Sequence, residues 1–440
     1  MWSNKTAARR TGLGVRQMTI RAIVLLVAVL AKAQTALPPE VLDLSRIKAK
    51  MRENLDRMPH YTCLETIERS HRAPAKTDFR LVDTLRIEVT RIGQAEFYSW
   101  PGARRFEDDA SDIVRSGTIS TGEYSGHAAT IFSNPATQIH YSGEETLKGH
   151  RALKYDYRVA SFASGWTLRY AEQSGMVAAY GSFWADAETL ELLRIELHAD
   201  GIPANLPFKA VLSQIDYAKV RIGDADVVLP QSARLLLSRR DGESRNQVEF
   251  SQCRPYATKS AIRFDAEPEM ESAQPPGIDE LFLAPNISLS MELTQAIDSQ
   301  SAAEGDVITA RLSADAKLKN QVMVPKGALV RGRIRRLERY ADPVPHFIVG
   351  LEFVEIDSGS KRWIFQCHLD QIDPVPGLSW VLSTKTAHTF EGGRGQATFY
   401  TFQGETLYTA EVPGAGTFFL QGTRFRLPEG LHMLWRTFSR

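Results

Sequence analysis

Apolar residues recur at every second position in short runs along this chain, and that period narrows its possible folds more than any other feature. Phe79, Leu81, Leu85, Ile87 and Val89 alternate with polar residues, as do Ile287, Leu289, Met291 and Leu293, and again Phe347, Val349, Leu351 and Phe353. Successive side chains of an extended strand point to opposite faces, so each run buries one face of a sheet and leaves the other in water. Antiparallel sheets accept such one-sided strands, and a mainly β chain follows.

One helical pattern precedes the strands. Val41, Leu44, Ile47, Met51, Leu55 and Met58 are spaced by three or four and stop at Pro59, which predicts an amphipathic helix packed on a sheet. Strand patterns then cover Tyr61 to Arg69, Phe97 to Trp100, Gln138 to Tyr141, Trp166 to Tyr170, Tyr180 to Trp184, Leu192 to His198, Phe208 to Val220 and Ala233 to Leu237. Glu145 to Val159 reads as a hairpin turning near Lys148-Gly149. Residues 107 to 135, rich in Asp, Ser, Gly and Thr, are expected to form a mobile loop or lid.

The helix, the long run of strands, and the Lys148-Gly-His-Arg-Ala-Leu153 and Phe183-Trp-Ala-Asp-Ala-Glu-Thr-Leu-Glu-Leu-Leu-Arg194 hairpins resemble the LolA-like periplasmic lipoprotein-carrier superfamily over about residues 40 to 264. The resemblance implies a large antiparallel sheet curled into a half-barrel over an apolar cavity that holds acyl chains. Tyr98, Trp100, Trp166, Phe183 and Trp184 are then the candidates to line that cavity, the alternative being that they are ordinary core.

Residues 265 to 277 carry three prolines and four acids and read as a linker, extending to about 283. The strands beyond it, over 284 to 440, are short and broken by glycine turns, which suggests a small closed barrel or sandwich. Leu293 to Ser299, Glu304 to Leu312 and Val324 to Arg333 are similar to the β-barrel core of the conjugation-channel proteins of the TrbI/VirB10 type, over about residues 289 to 336. That resemblance implies a barrel that assembles into rings in the envelope.

Within that stretch, Arg331, Arg333 and Arg335 fall on one face of an extended strand and Val330 and Ile334 on the other, with Lys326 and Arg339 extending the basic patch. Guanidinium groups bind phosphates, lipid headgroups, anionic glycans or carboxylates bidentately, so the five residues form a candidate docking patch for an envelope protein or anionic envelope component. The opposing reading is a solvated strand face neutralised by Glu338, Glu352 and Glu355.

Arg16 and Arg21 precede the ten-residue apolar run Ala22 to Ala31, which ends in Ala31-Lys32-Ala33, so residues 1 to 33 read as a signal peptide and the protein as exported to the periplasm or beyond. Ten residues fall short of the about 20 that span a bilayer, and no integral span is expected once the signal is removed. Three cysteines in an exported chain allow one disulfide: Cys63 to Cys253 is one pairing, two separate thiols the other, and Cys367 sits at a buried strand position.

A net charge of +1 offers no global field for nucleic acid. His346, His368, Asp370 and His388 lack metal-site spacing, Gly392-Gly-Arg-Gly395 lacks the context of a phosphate loop, and no cofactor is expected. Gly122-Glu-Tyr-Ser-Gly-His127 places a serine beside a histidine without a nucleophile motif. The leading expectation is a non-enzymatic envelope binding or assembly protein, holding a lipid, lipoprotein or partner segment in its N-terminal domain and docking through its C-terminal barrel. The rivals are a secreted hydrolase built around the 107 to 135 loop, with Ser125 the residue to probe, and a structural envelope component.

Overall fold

The computed structural model describes residues 37–103, 105–107, 110–114, 117–256, 279–342, 344–359, 361–382, 388–390, 397–402, 405–410 and 414–438. Residues 1 to 33, read above as a signal peptide, the expected linker as far as residue 278 and the Gly392 to Gly395 cluster lie outside the described residues.

The chain is mainly β, with an N-terminal helix, a large curled antiparallel sheet and a smaller C-terminal barrel-like sheet. Helix α1 (Pro39–Arg57) begins with proline in its first turn and buries Ile47 and Met51. Its C-terminal carbonyls would be left unpaired on an apolar sheet. Arg91 resolves this by donating to the carbonyls of Leu55 at 3.3 Å and Met58 at 3.2 Å. Asn54 adds a reciprocal pair with the backbone of Val228, which locks the helix across the concave face.

Counting only the strands of the two large sheets, the N-terminal one contains β1 (Tyr61–Arg72), β2 (Arg80–Ile92), β3 (Ala95–Ser99), β4 (Gln138–Leu147), β5 (His150–Val159), β6 (Ala178–Asp186), β7 (Leu192–Asp200), β8 (Phe208–Ile222), β9 (Ala225–Arg239) and β10 (Gly242–Pro255). Their order is β3-β2-β1-β10-β9-β8-β7-β6-β5-β4. The β4–β5 hairpin turns at Lys148 and Gly149, both with positive φ, as a two-residue hairpin turn requires.

Strand β10 pairs with β1, so the last strand of the domain closes beside the first. That neighbourhood brings Cys63 and Cys253 to a Cα separation of 4.1 Å at a bulge, where they form a disulfide across 190 residues. The described residues between 117 and 135 are not a featureless loop, contrary to what their composition suggests. They include helix α2 (Gly126–Phe132), whose Ala128, Ile131 and Phe132 are buried in the core, and Arg52 of α1 donates to the Phe132 carbonyl.

The C-terminal sheet contains β11 (Asp279–Phe282), β12 (Ser288–Leu293), β13 (Val307–Leu312), β14 (Leu329–Tyr340), β15 (His346–Asp357), β16 (Lys361–Ile364), β17 (Gln366–Ile372), β18 (Leu378–Leu382), β19 (Ala415–Gln421) and β20 (His432–Phe438). The path runs β11-β16-β15-β14-β13-β12-β20-β17, with β19 pairing β15 and β18. Trp435 and Phe353 meet edge to face at its centre. Gly332 lies where β14 and β15 approach most closely: a Cβ there would stand 2.0 Å from the Glu352 carbonyl oxygen. Cys367 is buried against the Phe353 carbonyl, and burial pushes its thiol well up, which keeps it protonated and inert. Among the described residues no helix is long and apolar enough to cross a membrane.

Candidate functional site: an apolar cavity and the arginine strand behind it

One edge of β15 changes partner midway. From His346 to Glu352 it pairs with β19, and from Glu355 to Asp357 with β16. Phe353 and Val354 fall at the changeover, where the two neighbouring strands part. The gap is a cavity of about 540 Å³ lined by Phe282, Leu283, Phe353, Val354, Ile364, Phe365 and Phe438, with Ala284, Pro285, Glu352, Gln366 and Gly414 completing the wall. Phe282 stands at its lip, 73% exposed. The volume lies in the range of small-molecule sites, about 300 to 1,000 Å³.

Of these apolar residues the period-two runs above pick out only Phe353, as a core position, yet the sequence carries a further signal for the cavity. Phe282-Leu283, Phe353-Val354 and Ile364-Phe365 are consecutive apolar pairs that break the alternation, and such pairs put apolar side chains on both faces of one strand.

The arginines of β14 lie behind this wall. Arg335 donates to Glu352 Oε2 at 2.9 Å, and its guanidinium sits over the Trp100 ring, 5.4 Å from the centroid. Arg333 also lies over Trp100, at 5.9 Å, and reaches the carbonyls of Pro101 and Gly305. Burial pushes its guanidinium down to about 10. Arg331 is opposite Glu355 and meets Glu355 and Asp357 at 3.6 and 3.5 Å. Arg339 donates to the Ser299 carbonyl and lies over Phe347. Lys326 and Arg331 are exposed, Arg331 between the carboxylates of Glu355 and Asp357, and the other three are drawn into contacts, so the five do not make an open basic face. Bulges at Arg331/Gly332 and Ile334/Arg336 rotate the strand, which a regular alternation does not anticipate.

Trp100 belongs to the N-terminal domain, so Arg333 and Arg335 dock one half of the chain on the other. Strand β3 covers β2 only from Glu88 to Ile92. The bare edge before it is taken by Glu304, whose N–H donates to the Thr84 carbonyl and whose carbonyl accepts from the Arg86 N–H, at 2.9 and 2.8 Å. Arg86 grips Asp306 through both carboxylate oxygens. Gly305 has φ +98°, and a Cβ on it would strike the Arg86 carbonyl at 2.2 Å and Trp100 at 2.8 Å. Burial pushes the Glu304 carboxyl up to about 8; Asp83 and Glu338 push the same way, and Arg69 and Arg335 oppose them.

The aromatic candidates of the N-terminal domain do not converge on a cavity. Phe183 is wholly buried, stacked on Tyr155 and edge-on to Phe132. Trp184, its neighbour, faces the other side, where it donates to Glu145 beneath Lys154. Tyr98 donates to Glu96 within the core, Trp166 packs on His127, and Trp100 is at the domain seam. Helix α1 and the segment around α2 occupy the concave face instead.

That face does hold a polar cluster. Glu65 and Glu123 are buried, and burial pushes both carboxyls up; repulsion from Glu123 and Glu96 adds to the shift of Glu65, which lies well above the usual range. Ser125 donates to Glu96 Oε1 at 3.0 Å through its hydroxyl. Burial pushes His127 down to about 4, and it is not hydrogen-bonded to Ser125. A serine held by a carboxylate, with its neighbouring imidazole elsewhere, is not a nucleophile–base pair. Among the described residues no three His, Cys, Asp or Glu side chains converge to hold a metal ion.

No protein-family model matches the chain, and no curated protein matches it. Similar solved structures include a putative outer membrane lipoprotein-sorting protein domain from Vibrio parahaemolyticus, 11% identical over 48% of this chain and 90% of that one, with a TM-score of 0.26. A DUF1329 family protein from Desulfovibrio piger is 12% identical over 49% and 93%, also at 0.26. Neither bears on the conjugation-channel likeness. Scores this low leave ligand and role to the geometry of the chain itself.

Proposed function

We propose that the protein is an exported, non-enzymatic binding protein of the cell envelope that holds an apolar chain, such as that of a lipid or lipoprotein, in its C-terminal domain. The observation that carries this reading is the cavity at the β15 partner change, walled by four phenylalanines and by aliphatic side chains. Burying apolar surface contributes about 25 cal/mol per Å² removed from water, so a chain filling such a cavity is held without any directional contact. The N-terminal half-barrel serves as the platform on which this domain is seated, through Trp100, Arg86 and the Glu304 loop.

Native mass spectrometry of the protein purified from its own host, followed by solvent extraction, tests the reading. A bound apolar species is expected in the intact protein and lost in Val354→Arg, which puts a charge on the cavity wall. Repeated absence of such a species, or its retention in that variant, would count against the cavity as the site.

A further inference from the structure

The cavity is apolar except at one end, and the chemistry there is specific. Glu352 offers two carboxylate oxygens. Oε2 accepts from Arg335 at 2.9 Å. Oε1 stands beside Gly414, 3.6 Å from where a Cβ on that residue would be, and makes no hydrogen bond with any described residue. Gly414 and Glu352 both line the cavity, whereas Arg335 does not, being drawn away toward Trp100. An occupant therefore meets the free oxygen of a carboxylate whose other oxygen is held by Arg335, and among the described residues no cation lines the cavity itself. Gln366, on the same wall, adds an amide that can donate or accept.

On the reading that this cavity holds an apolar chain, we propose that it selects amphiphiles whose head donates a hydrogen bond, a hydroxyl or an amide N–H, over chains ending in a carboxylate, with Glu352 as the specificity-determining residue. A donor placed at Oε1 satisfies an acceptor that entry of the chain would otherwise strip of water. A second carboxylate at the same place is repelled at close range in a poorly hydrated site. Selection thus comes from a penalty on the wrong head as much as from a gain on the right one.

Displacement of the neutral fluorophore N-phenyl-1-naphthylamine from the full-length protein by three lauroyl compounds, at about pH 8 where a free fatty acid is ionised, tests this. Monolauroylglycerol and lauramide are expected to bind about tenfold or more tightly than laurate. Their ranking against each other tells an ester-linked polyol head from an amide-linked one. In Glu352→Gln the difference should shrink, because laurate gains. Laurate binding as tightly as the other two in the wild-type protein would overturn the head-group selection while leaving the cavity reading standing, and failure of all three to bind would remove the cavity reading itself. The wild-type series decides the matter even if Glu352→Gln loosens the Arg335 contact.

Discussion

Arg335 lies over the indole ring of Trp100, its guanidinium carbon 5.4 Å from the ring centroid, and so joins the arginine strand of the C-terminal domain to the residue that follows β3 in the N-terminal one. The same guanidinium holds Glu352 on the cavity wall. One side chain thus touches both the seam between the domains and the candidate ligand site.

The seam is expected to depend on that ring. A guanidinium–indole contact is worth about 0.5 to 2 kcal/mol, and truncating a buried aromatic adds a cavity cost that brings the total to about 3 kcal/mol or more. Trp100→Ala should therefore split thermal unfolding into two transitions by calorimetry and enlarge the radius of gyration in solution scattering. Trp100→Phe keeps a ring face and should stay closer to wild type. A single unchanged transition in Trp100→Ala would show that the seam does not rest on this contact.

The seam should also weaken as pH rises. The Glu304 carboxyl is pushed from the usual 4.5 up to about 8 in the folded protein, chiefly by burial. A group that holds its proton more tightly when folded contributes full stability below its unfolded value and loses it as pH climbs through the folded one. The contribution is thus complete below about pH 4.5 and gone above about pH 8. Glu304→Gln should be relatively more stable than wild type at the alkaline end of that window and show a flatter melting temperature across it. Parallel pH profiles for the two proteins would exclude Glu304 as the cause.

Arg69 and Asp83 form a buried bidentate pair at 2.6 Å, close to the same seam. Removing one partner leaves an uncompensated buried charge, at a cost of about 3 to 5 kcal/mol. Asp83→Ala should lose that much in urea unfolding, whereas Arg69→Met combined with Asp83→Leu should lose clearly less. Equal losses in both proteins would mean that packing, and not the stranded charge, sets the cost.

Reducing the Cys63–Cys253 disulfide frees a loop of 190 residues. Chain-entropy reasoning for a loop of that size gives about 5 kcal/mol of stabilisation. Cys253→Ser, or the wild type in reductant, should unfold at markedly lower denaturant concentration, with Cys367→Ser as the unaffected comparison for the N-terminal transition. An unchanged midpoint on reduction would mean that the bridge closes a loop the fold already closes.

Much of this architecture is legible from local chemistry. The three-four spacing from Val41 to Met58 places α1, with Ile47 and Met51 on its buried face. The alternation Leu85, Ile87, Val89 places the buried face of β2, and Lys148-Gly149 places a hairpin turn. Helix α2 escaped because its three buried residues, Ala128, Ile131 and Phe132, make too short a stripe amid Gly, Ser and Asn to register as periodic.

The sequence by itself determined the β class, the helix, the strand faces and the identity of the unusual arginine strand, because each depends on residues a few positions apart and on the fixed periods of strand and helix. Only the tertiary structure decided what those arginines meet, since Trp100 and Glu352 both reach Arg335 through pairings remote in sequence. It likewise placed the apolar cavity in the C-terminal domain rather than under the N-terminal half-barrel. A cavity arises where β15 exchanges β19 for β16, and a change of strand partner is a property of the assembled sheet that no local run of residues encodes.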